Sequence, residues 1–342
     1  MKLVNLPQDG NKHKCNVEWW YFNGLLQDKS GHRYSFMDCF FSVDNKKVNI
    51  PIISKIPKKD FYFAHSILSD LDKQKSYPQI NYYAVTSRDS FERPLFFVNY
   101  LSFKESVSLK GYCNNLIEEI APFDYHIKTS DIDLILKSNK APLLEAGTGF
   151  IKLNSKTSYY YSLTDLSITG KITIGKNIID VTGKGWFDHQ WANTKFTNDK
   201  WTWFSIQLDN NIEIVCYEYD DFKVKDRQAT IIYKDGKQSY TEKVDLIPAG
   251  ESWKSADSGA IYPMDWQIKL PDKGFDLRVS TLIHEQEMLF GNINYWEGPL
   301  RVTGTCHGKK VKGQGFMELV GYPVTKSKLQ ILENRIWKKI SK

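Results

Sequence analysis

The sequence has few cysteines, and their spacing suits neither a disulfide framework nor a metal site. An odd, dispersed set without any Cys-x-x-Cys argues against both; it comprises Cys15, Cys39, Cys113, Cys216 and Cys306. The seven histidines form no His-x-His and no His-Glu-x-x-His, so a metal site would need ligands from distant parts of the chain. We therefore predict no metal and no other cofactor.

Long apolar runs are also missing. No segment approaches the roughly 20 apolar residues that a membrane-spanning helix needs. The opening residues, Met1–Pro7 (MKLVNLP), lack the apolar stretch of a secretion signal. We expect a cytoplasmic protein.

The short motifs that mark common nucleotide-binding and hydrolase sites are absent as well. The sequence has no Gly-x-Ser-x-Gly, no phosphate-binding glycine loop and no dinucleotide fingerprint. Its net charge of +6 is spread without a dense basic stripe, which predicts a solvated surface and no nucleic-acid partner. Aromatic residues, in contrast, make up 14% of the 342 residues, and a chain of this length favours two domains.

Apolar and polar residues alternate in many short segments, which is the pattern of half-buried strands. Examples are residues 131–136, 266–270 and 276–281, with turn sequences such as Asp28–Gly31 between strands. This pattern predicts an all-β protein built from barrels or sandwiches.

Helical spacing occurs at the end of the chain, at Leu329, Leu332, Ile336 and Ile340. We predict a short C-terminal helix that docks on the protein's own sheet. Its basic opposite face leaves peripheral membrane contact as an alternative.

Three segments recur in the same order and predict two copies of one β unit. The matched pairs are Tyr161–Gly170 with Tyr295–Gly304, Gly183–Trp186 with Gly313–Phe316, and Trp19–Phe22 with Trp201–Phe204. The copies meet near residue 195. We therefore predict domains at residues 1–195 and 196–342.

The densest run of reactive side chains is Gly185–Trp191 (GWFDHQW). In an extended strand, His189 shares one face with Phe187 and Trp191, whereas Asp188 lies on the opposite face and cannot orient His189. In the repeat, Asp188 aligns with Glu318 but His189 aligns with Leu319. The imidazole is therefore specific to the first copy, which favours a functional His189 over a purely structural strand end.

The hairpin after this run provides a candidate binding wall, because Trp201, Trp203, Ser205 and Gln207 share a strand face. Its register is open. A two-residue turn brings Glu218 and Asp220 to this face, whereas a three-residue loop brings Tyr217, Tyr219 and Asp221.

The N-terminal Glu18-Trp19-Trp20-Tyr21 places two indoles on opposite faces, one for the core and one for a cavity or interface. For the isolated His65, a structural role is favoured.

These motifs resemble the carotenoid 1,2-hydratase-like family (CrtC/AttH type), with fungal Diels–Alderases as more distant relatives. The resemblance spans nearly the whole chain through seven ordered motifs, among them Glu18–Tyr21, Phe63–His65, Gly185–Trp191, Tyr295–Gly298 and Glu318–Tyr322. It implies two tandem lipocalin-like β-barrel domains with an apolar pocket at or near their junction. It also implies a catalytic group of His189, Trp191, Tyr219 and Asp221. Two departures are Gln190, where the family has glutamate, and Asp165, where it has arginine.

From these observations we expect an enzyme that hydrates or cyclises an alkene or polyene by acid assistance, with a hydrophobic small molecule as its partner. A buried carboxylic acid keeps its proton to higher pH, and Asp221 or Asp220 is the expected acid. His189 would position water and Tyr219 would complete the catalytic group. The expected binding residues are Trp191, Trp203, Gln207, Glu18, Trp20 and Tyr217. The alternatives are a non-catalytic lipocalin-like carrier and a carbohydrate-active β protein.

Overall fold

The fold was analysed in a computed structural model that describes residues 3–44, 47, 60–106, 109–194, 199–290, 293–327 and 330–331. Strands dominate these residues, which confirms the all-β prediction. The strands β1–β13 are Val17–Gln27, Arg33–Asp44, Asp60–Asp70, Lys75–Asn81, Ala84–Thr86, Phe97–Ser106, Leu109–Ala121, Asp124–Lys128, Ile132–Ser138, Leu143–Leu144, Phe150–Leu153, Lys156–Ile174 and Asn177–Ala192. The strands β14–β23 are Lys200–Leu208, Glu213–Asp220, Lys225–Ile232, Gln238–Thr241, Asp245–Lys254, Ile261–Leu270, Phe275–Thr281, Glu287–Phe290, Ile293–Cys306 and Lys309–Val320.

The strands form two curled antiparallel sheets. The first runs β4-β3-β2-β1-β13-β12-β9-β8-β7-β6-β5, with β10 and β11 paired to β12. The second runs β17-β16-β15-β14-β23-β22-β20-β19-β18, with β21 paired to β22. These sheets match the expected pair of lipocalin-like barrels. The domain division at residue 195 stays a prediction, and the strands of the two sheets fall on either side of it.

The centres of the two sheets have the same strand order, as the internal repeat predicts. The series β1-β13-β12-β9 in the first sheet corresponds to β14-β23-β22-β20 in the second. Gly170 and Gly304 occupy equivalent places with φ of +151° and +157°. A Cβ on either would lie 2.2 Å from a carbonyl oxygen of the neighbouring strand, that of Asp133 or Asp276. The repeat therefore conserves a close backbone contact that only glycine permits.

Each curled sheet encloses an apolar core, and a third core lies between them. Alternation decides which side chains enter which core: along β19 the odd positions are partly or fully exposed, and the even positions are buried. Phe22, Phe40 and Phe187 fill the first sheet, whereas Phe204 and Trp296 belong to the second. The third core joins residues of both sheets, among them Tyr21, Met37, Trp203, Tyr217 and Tyr295.

Polar contacts fasten the sheets to each other. Gln207 of β14 donates its side-chain amide to the Thr164 and Gly185 carbonyl oxygens of the first sheet, at 2.7 and 2.8 Å. The Lys140 ammonium lies 2.6 Å from the Glu213 carboxylate across the same boundary. These contacts, buried at Gln207 and partly buried at Lys140, fix the distance between the two sheets and so shape the space between them.

The residues behind the predicted C-terminal helix, Leu329, Leu332, Ile336 and Ile340, lie outside the described residues. Among the described residues, none of the helices has the length and hydropathy to span a membrane.

Candidate active site

A cavity of about 210 Å³ lies between the two sheets. The outer face of the first sheet, opposite its barrel interior, lines one side of this cavity. On β1 the odd residues Val17, Trp19 and Tyr21 line the cavity, whereas Glu18 and Trp20 point into the first barrel, where both are 0% exposed. The period of two along each strand therefore divides the candidate residues between two separate environments.

Most of the cavity wall is apolar. Aliphatic and aromatic side chains from both sheets form it, with Val17, Phe41, Val43, Phe63, Ile151, Leu153, Trp201, Trp203, Tyr217, Tyr219 and Val320 among them. The polar part of the wall includes three carboxyl groups, from Asp188, Glu297 and Glu318. An apolar chamber with a few convergent polar groups is the usual form of a small-molecule site.

Asp188 lies on the cavity face of β13, between Trp186 and Gln190. Its carboxylate accepts hydrogen bonds from Trp186 Nε1 and Ser162 Oγ, each at 2.6 Å, and from the Tyr160 hydroxyl at 2.8 Å. Burial raises the pKa of Asp188 to about 7, and these three donors oppose the rise. Trp203 Nε1 donates to the Tyr160 hydroxyl at 2.9 Å, so the second sheet also contributes to holding this group.

Glu297 and Glu318 face each other as direct partners on β22 and β23. Glu297 accepts a hydrogen bond from the Tyr21 hydroxyl at 2.5 Å, and Glu318 accepts one from Trp201 Nε1 at 2.9 Å. Burial, and then the neighbouring Glu318 charge, holds the pKa of Glu297 well above its usual range. Burial raises the pKa of Glu318 to about 7. Ionising both adjacent carboxyls would place two negative charges side by side in a buried site, which is unfavourable. This pair therefore retains a proton near neutral pH.

A buried histidine and a tyrosine complete the polar wall. His65 Nδ1 lies 2.6 Å from the Tyr295 hydroxyl and links β3 of the first sheet to β22 of the second. Burial lowers the pKa of His65 to about 3, so the imidazole is neutral at physiological pH. His65, for which the sequence favoured a structural role, therefore lies in the cavity wall.

The structure places four of the predicted site residues inside the first barrel, away from the cavity. His189 is 0% exposed and bonds through Nε2 to the Glu18 carboxylate at 2.9 Å. Trp20 and Trp191 pack against the His189 ring, with ring centroids 4.9 Å away in each case. The alternation of β13 that put His189 and Asp188 on opposite faces is confirmed, but Asp188 is the residue that faces the cavity.

The hairpin adopts the three-residue alternative, because Leu208 bonds to Ile212 around the loop and Trp203 pairs with Tyr217. Trp203, Tyr217 and Tyr219 therefore line the cavity together. Gln207, on the same strand, lies beyond the cavity and spans the sheets instead.

The hairpin acids lie elsewhere, which corrects the expectation that one of them stands beside Trp203. Asp221 follows the end of β15, where its carboxylate accepts the backbone N–H groups of Lys223 and Val224 at 3.0 Å. These bonds hold the pKa of Asp221 below its usual range, which is the opposite of what a proton donor needs. Glu218 faces away from Trp203 and bonds to Arg227 at 2.7 Å.

Sequence reasoning missed Glu297 and Glu318 as site residues. The available signal was the internal repeat, which aligns the acid Asp188 with the acid Glu318. In both copies, the acid at this position lies on the strand face that lines the cavity. The unmatched residue, His189, lies inside the first barrel instead.

The fold and this cavity define a class of protein: two tandem β-barrels that enclose an apolar, acid-bearing chamber between them. The model of the AttH-like family matches residues 1–322. The chain belongs to this family, as its motifs predicted.

Two solved structures share the fold. A protein assigned as AttH from Nitrosomonas europaea superposes with a TM-score of 0.74 and 24% identity, covering 94% of this chain and 98% of that one. Kievitone hydratase from Nectria haematococca has a TM-score of 0.71 and 17% identity, covering 94% of both chains. In sequence, the chain is also 25% identical over 198 residues to kievitone hydratase of Fusarium solani subsp. phaseoli. That match spans 55% of this chain and about half, 56%, of the relative.

Proposed function

We propose that this protein is a hydratase-type enzyme that adds water to a carbon–carbon double bond of a hydrophobic small molecule in the cavity between its sheets. The observation that carries the proposal is that three buried carboxyls line a single, mostly apolar cavity. The name of the kievitone hydratases with which it shares a fold or part of its sequence supports the same reaction class.

The chemistry needs an acid that can deliver a proton to carbon. The Glu297–Glu318 pair keeps one proton near neutral pH, because burial and mutual repulsion disfavour a second negative charge. In the proposed step, the protonated Glu297 carboxyl gives its proton to one alkene carbon. The π electron pair forms the new C–H bond, and the other carbon becomes a cation.

The aromatic wall suits such a cation. Trp201 and Trp203 line the chamber, and the attraction of a cation to an aromatic face amounts to roughly 0.5–2 kcal/mol. Water then attacks the cation through oxygen and loses a proton to the Asp188 carboxylate. The proton that reaches Asp188 exchanges with solvent and Glu297 is reprotonated, so the net change is the addition of one water.

Asp188 and Glu297 thus take the catalytic roles that the sequence favoured for Asp221 and His189. Trp203 and Tyr217 keep their predicted role as binding residues, whereas Tyr219, which was expected in the catalytic group, becomes part of the cavity wall. The remaining predicted binding residues lie outside the cavity and have structural roles in this mechanism: Trp191, Gln207, Glu18 and Trp20.

The test is incubation of the purified chain with kievitone and with a panel of apolar alkenes and polyenes in isotopically labelled water. A product heavier by one labelled water, formed by the wild type and lost in Glu297→Gln, supports the proposal. If every compound binds and none is converted, the protein is a carrier. The apolar wall favours that second candidate, since it would retain a hydrophobic ligand without any reaction.

A further inference from the structure

A second cluster of ionisable side chains lies inside the first barrel, apart from the cavity. It consists of His13, Glu18 and His189, each of which offers a ligand atom within 4.8 Å of the others. Glu18 and His189 come from the paired strands β1 and β13, and His13 comes from the segment before β1. The hydratase chemistry proposed above uses none of the three.

We propose that His13, Glu18 and His189 bind one divalent transition-metal ion of the Zn²⁺ type. Two imidazoles and one carboxylate form a donor set that zinc uses in proteins, with a fourth position left for water. The expectation of no metal rested on the absence of local ligand spacing. The fold instead assembles ligands from positions 13, 18 and 189.

The present contacts already converge on a single point. Both imidazoles approach the same carboxylate oxygen, Glu18 Oε1, with His13 Nδ1 at 2.7 Å and His189 Nε2 at 2.9 Å. A metal ion would replace these two hydrogen bonds once each ring carries its proton on its other nitrogen.

The surroundings of each ring support metal ligation. His13 Nε2 lies 3.3 Å from Asp9 Oδ1, and a carboxylate behind a histidine is the usual outer partner of a metal-bound imidazole. The His13 ring is also stacked on Trp191, with centroids 3.9 Å apart and planes 4° from parallel. These contacts fix the orientation in which Nδ1 faces Glu18.

The repeat supplies a second, independent observation about His189. Its Nδ1 is buried and lacks a hydrogen-bond partner within the described part of the chain, while Nε2 faces Glu18. An ion bound at this site would leave Nδ1 unpaired, so the ligand atom that His189 offers is Nε2. The second barrel has Leu319 at the equivalent position of β23 and Lys200 in place of Glu18, and it closes without either ligand.

The position of His13 suggests the route and the effect of the ion. Its side chain is 21% exposed, whereas Glu18 and His189 are 0% exposed. An ion would therefore enter past His13 and would tie the segment before β1 to the barrel. Its expected effect is a more stable protein, because a ligand that binds only the folded state raises the free energy of unfolding.

The test uses the full chain, stripped with a chelator and then titrated with Zn²⁺ by calorimetry and with Co²⁺ by visible absorption. We expect one ion per chain and a higher Tm with Zn²⁺. His13→Ala, on the partly exposed segment, should abolish binding. Asp9→Asn should weaken it about 10- to 100-fold by removing the outer partner.

The matched control is His126→Ala, since His126 forms a surface pair with Asp133 at 2.7 Å and should leave binding unchanged. His189→Leu copies the second barrel, and its circular dichroism spectrum shows whether loss of binding reflects misfolding. If the wild type binds no ion, or if His13→Ala still binds one, the proposal is wrong. None of these measurements depends on hydratase activity.

Discussion

Tyr21 and Glu297 are 276 positions apart in the sequence, and the Tyr21 hydroxyl donates a hydrogen bond of 2.5 Å to the Glu297 carboxylate. Tyr21 belongs to the first sheet and Glu297 to the second. The proposed acid is therefore carried by one sheet and oriented by the other. Any change in the spacing of the sheets would alter the environment of the group that holds the reactive proton.

The variant Tyr21→Phe tests this relationship. Removing the donor leaves a buried acceptor without this partner and should cost about 1–3 kcal/mol of stability. The donor favours the charged carboxylate, so its loss should raise the pKa of Glu297 further. The limb of the activity profile that reports loss of the acid's proton should move to higher pH, as measured by kcat across pH.

The control for Tyr21→Phe is Tyr217→Phe, which removes another hydroxyl at the cavity. The Tyr217 hydroxyl donates to Gln228 at 3.0 Å and to none of the three acids. It should lower stability by a similar amount without moving the pH profile. A shift of equal size in both variants would contradict the assignment of Glu297.

Asp188→Asn tests the proposed proton acceptor. The amide preserves the size of the side chain but cannot take a proton from the attacking water, so kcat should fall by about 10²- to 10⁴-fold. Substrate affinity, measured separately by tryptophan fluorescence, should change much less. Asp221→Asn is the control for an acid outside the cavity and should retain wild-type kcat. Loss of activity in Asp221→Asn but not in Asp188→Asn would instead support Asp221 as a catalytic residue.

The buried acids also predict how stability depends on pH. Burial raises the pKa of Asp188 from 3.8 to about 7 and that of Glu318 from 4.5 to about 7. At these two side chains, the folded state thus binds more protons than the unfolded state when the pH lies between the ordinary and the raised pKa. These groups stabilise the fold fully below about pH 4, and their contribution is lost as pH rises towards 7. Each can change the free energy of unfolding by up to about 1.4 kcal/mol per pH unit.

Urea unfolding at several pH values between 4 and 8 measures this effect. In Asp188→Asn and Glu318→Gln the decline in stability with rising pH should be shallower than in the wild type. Asp221→Asn should not flatten the decline, because the pKa of Asp221 is lowered rather than raised. The same dependence of stability on pH in the wild type and in both variants would contradict the raised pKa values of Asp188 and Glu318.

Alternation and repeat made much of the fold predictable from the sequence. The period of two on β13 correctly separated His189 from Asp188, and the strand order of the two sheets agrees with the predicted copies. Periodicity cannot show which of two faces meets a cavity, however, since both faces of β1 and β13 are largely buried and carry aromatic as well as polar side chains. The alternation therefore separates His189 from Asp188 without showing that Asp188 is the one that faces the cavity.

The acids of the second sheet were harder to find for a different reason. Glu297 and Glu318 become neighbours only through the register of β22 on β23, and they meet Tyr21 only through packing of one sheet on the other. Contacts at this distance along the chain leave no local spacing. The hairpin acids, in contrast, were close to the predicted binding wall in sequence, but Asp221 lies past the end of its strand, in a turn.

The repeat makes a prediction about backbone packing that the second sheet can test. Gly304 has a φ of +157°, and an added Cβ would lie 2.2 Å from the Asp276 carbonyl oxygen, which is backbone and cannot rotate away. Left-handed backbone strain alone costs about 1–2 kcal/mol. Gly304→Ala should destabilise the protein by more than this, because the clash adds to the strain. Gly236→Ala isolates the strain term, because Gly236 has a φ of +81° and nothing lies within 4 Å of its added Cβ. Thermal and urea unfolding of both variants would measure the difference, and Gly170→Ala should behave as Gly304→Ala does if the two copies share one packing rule.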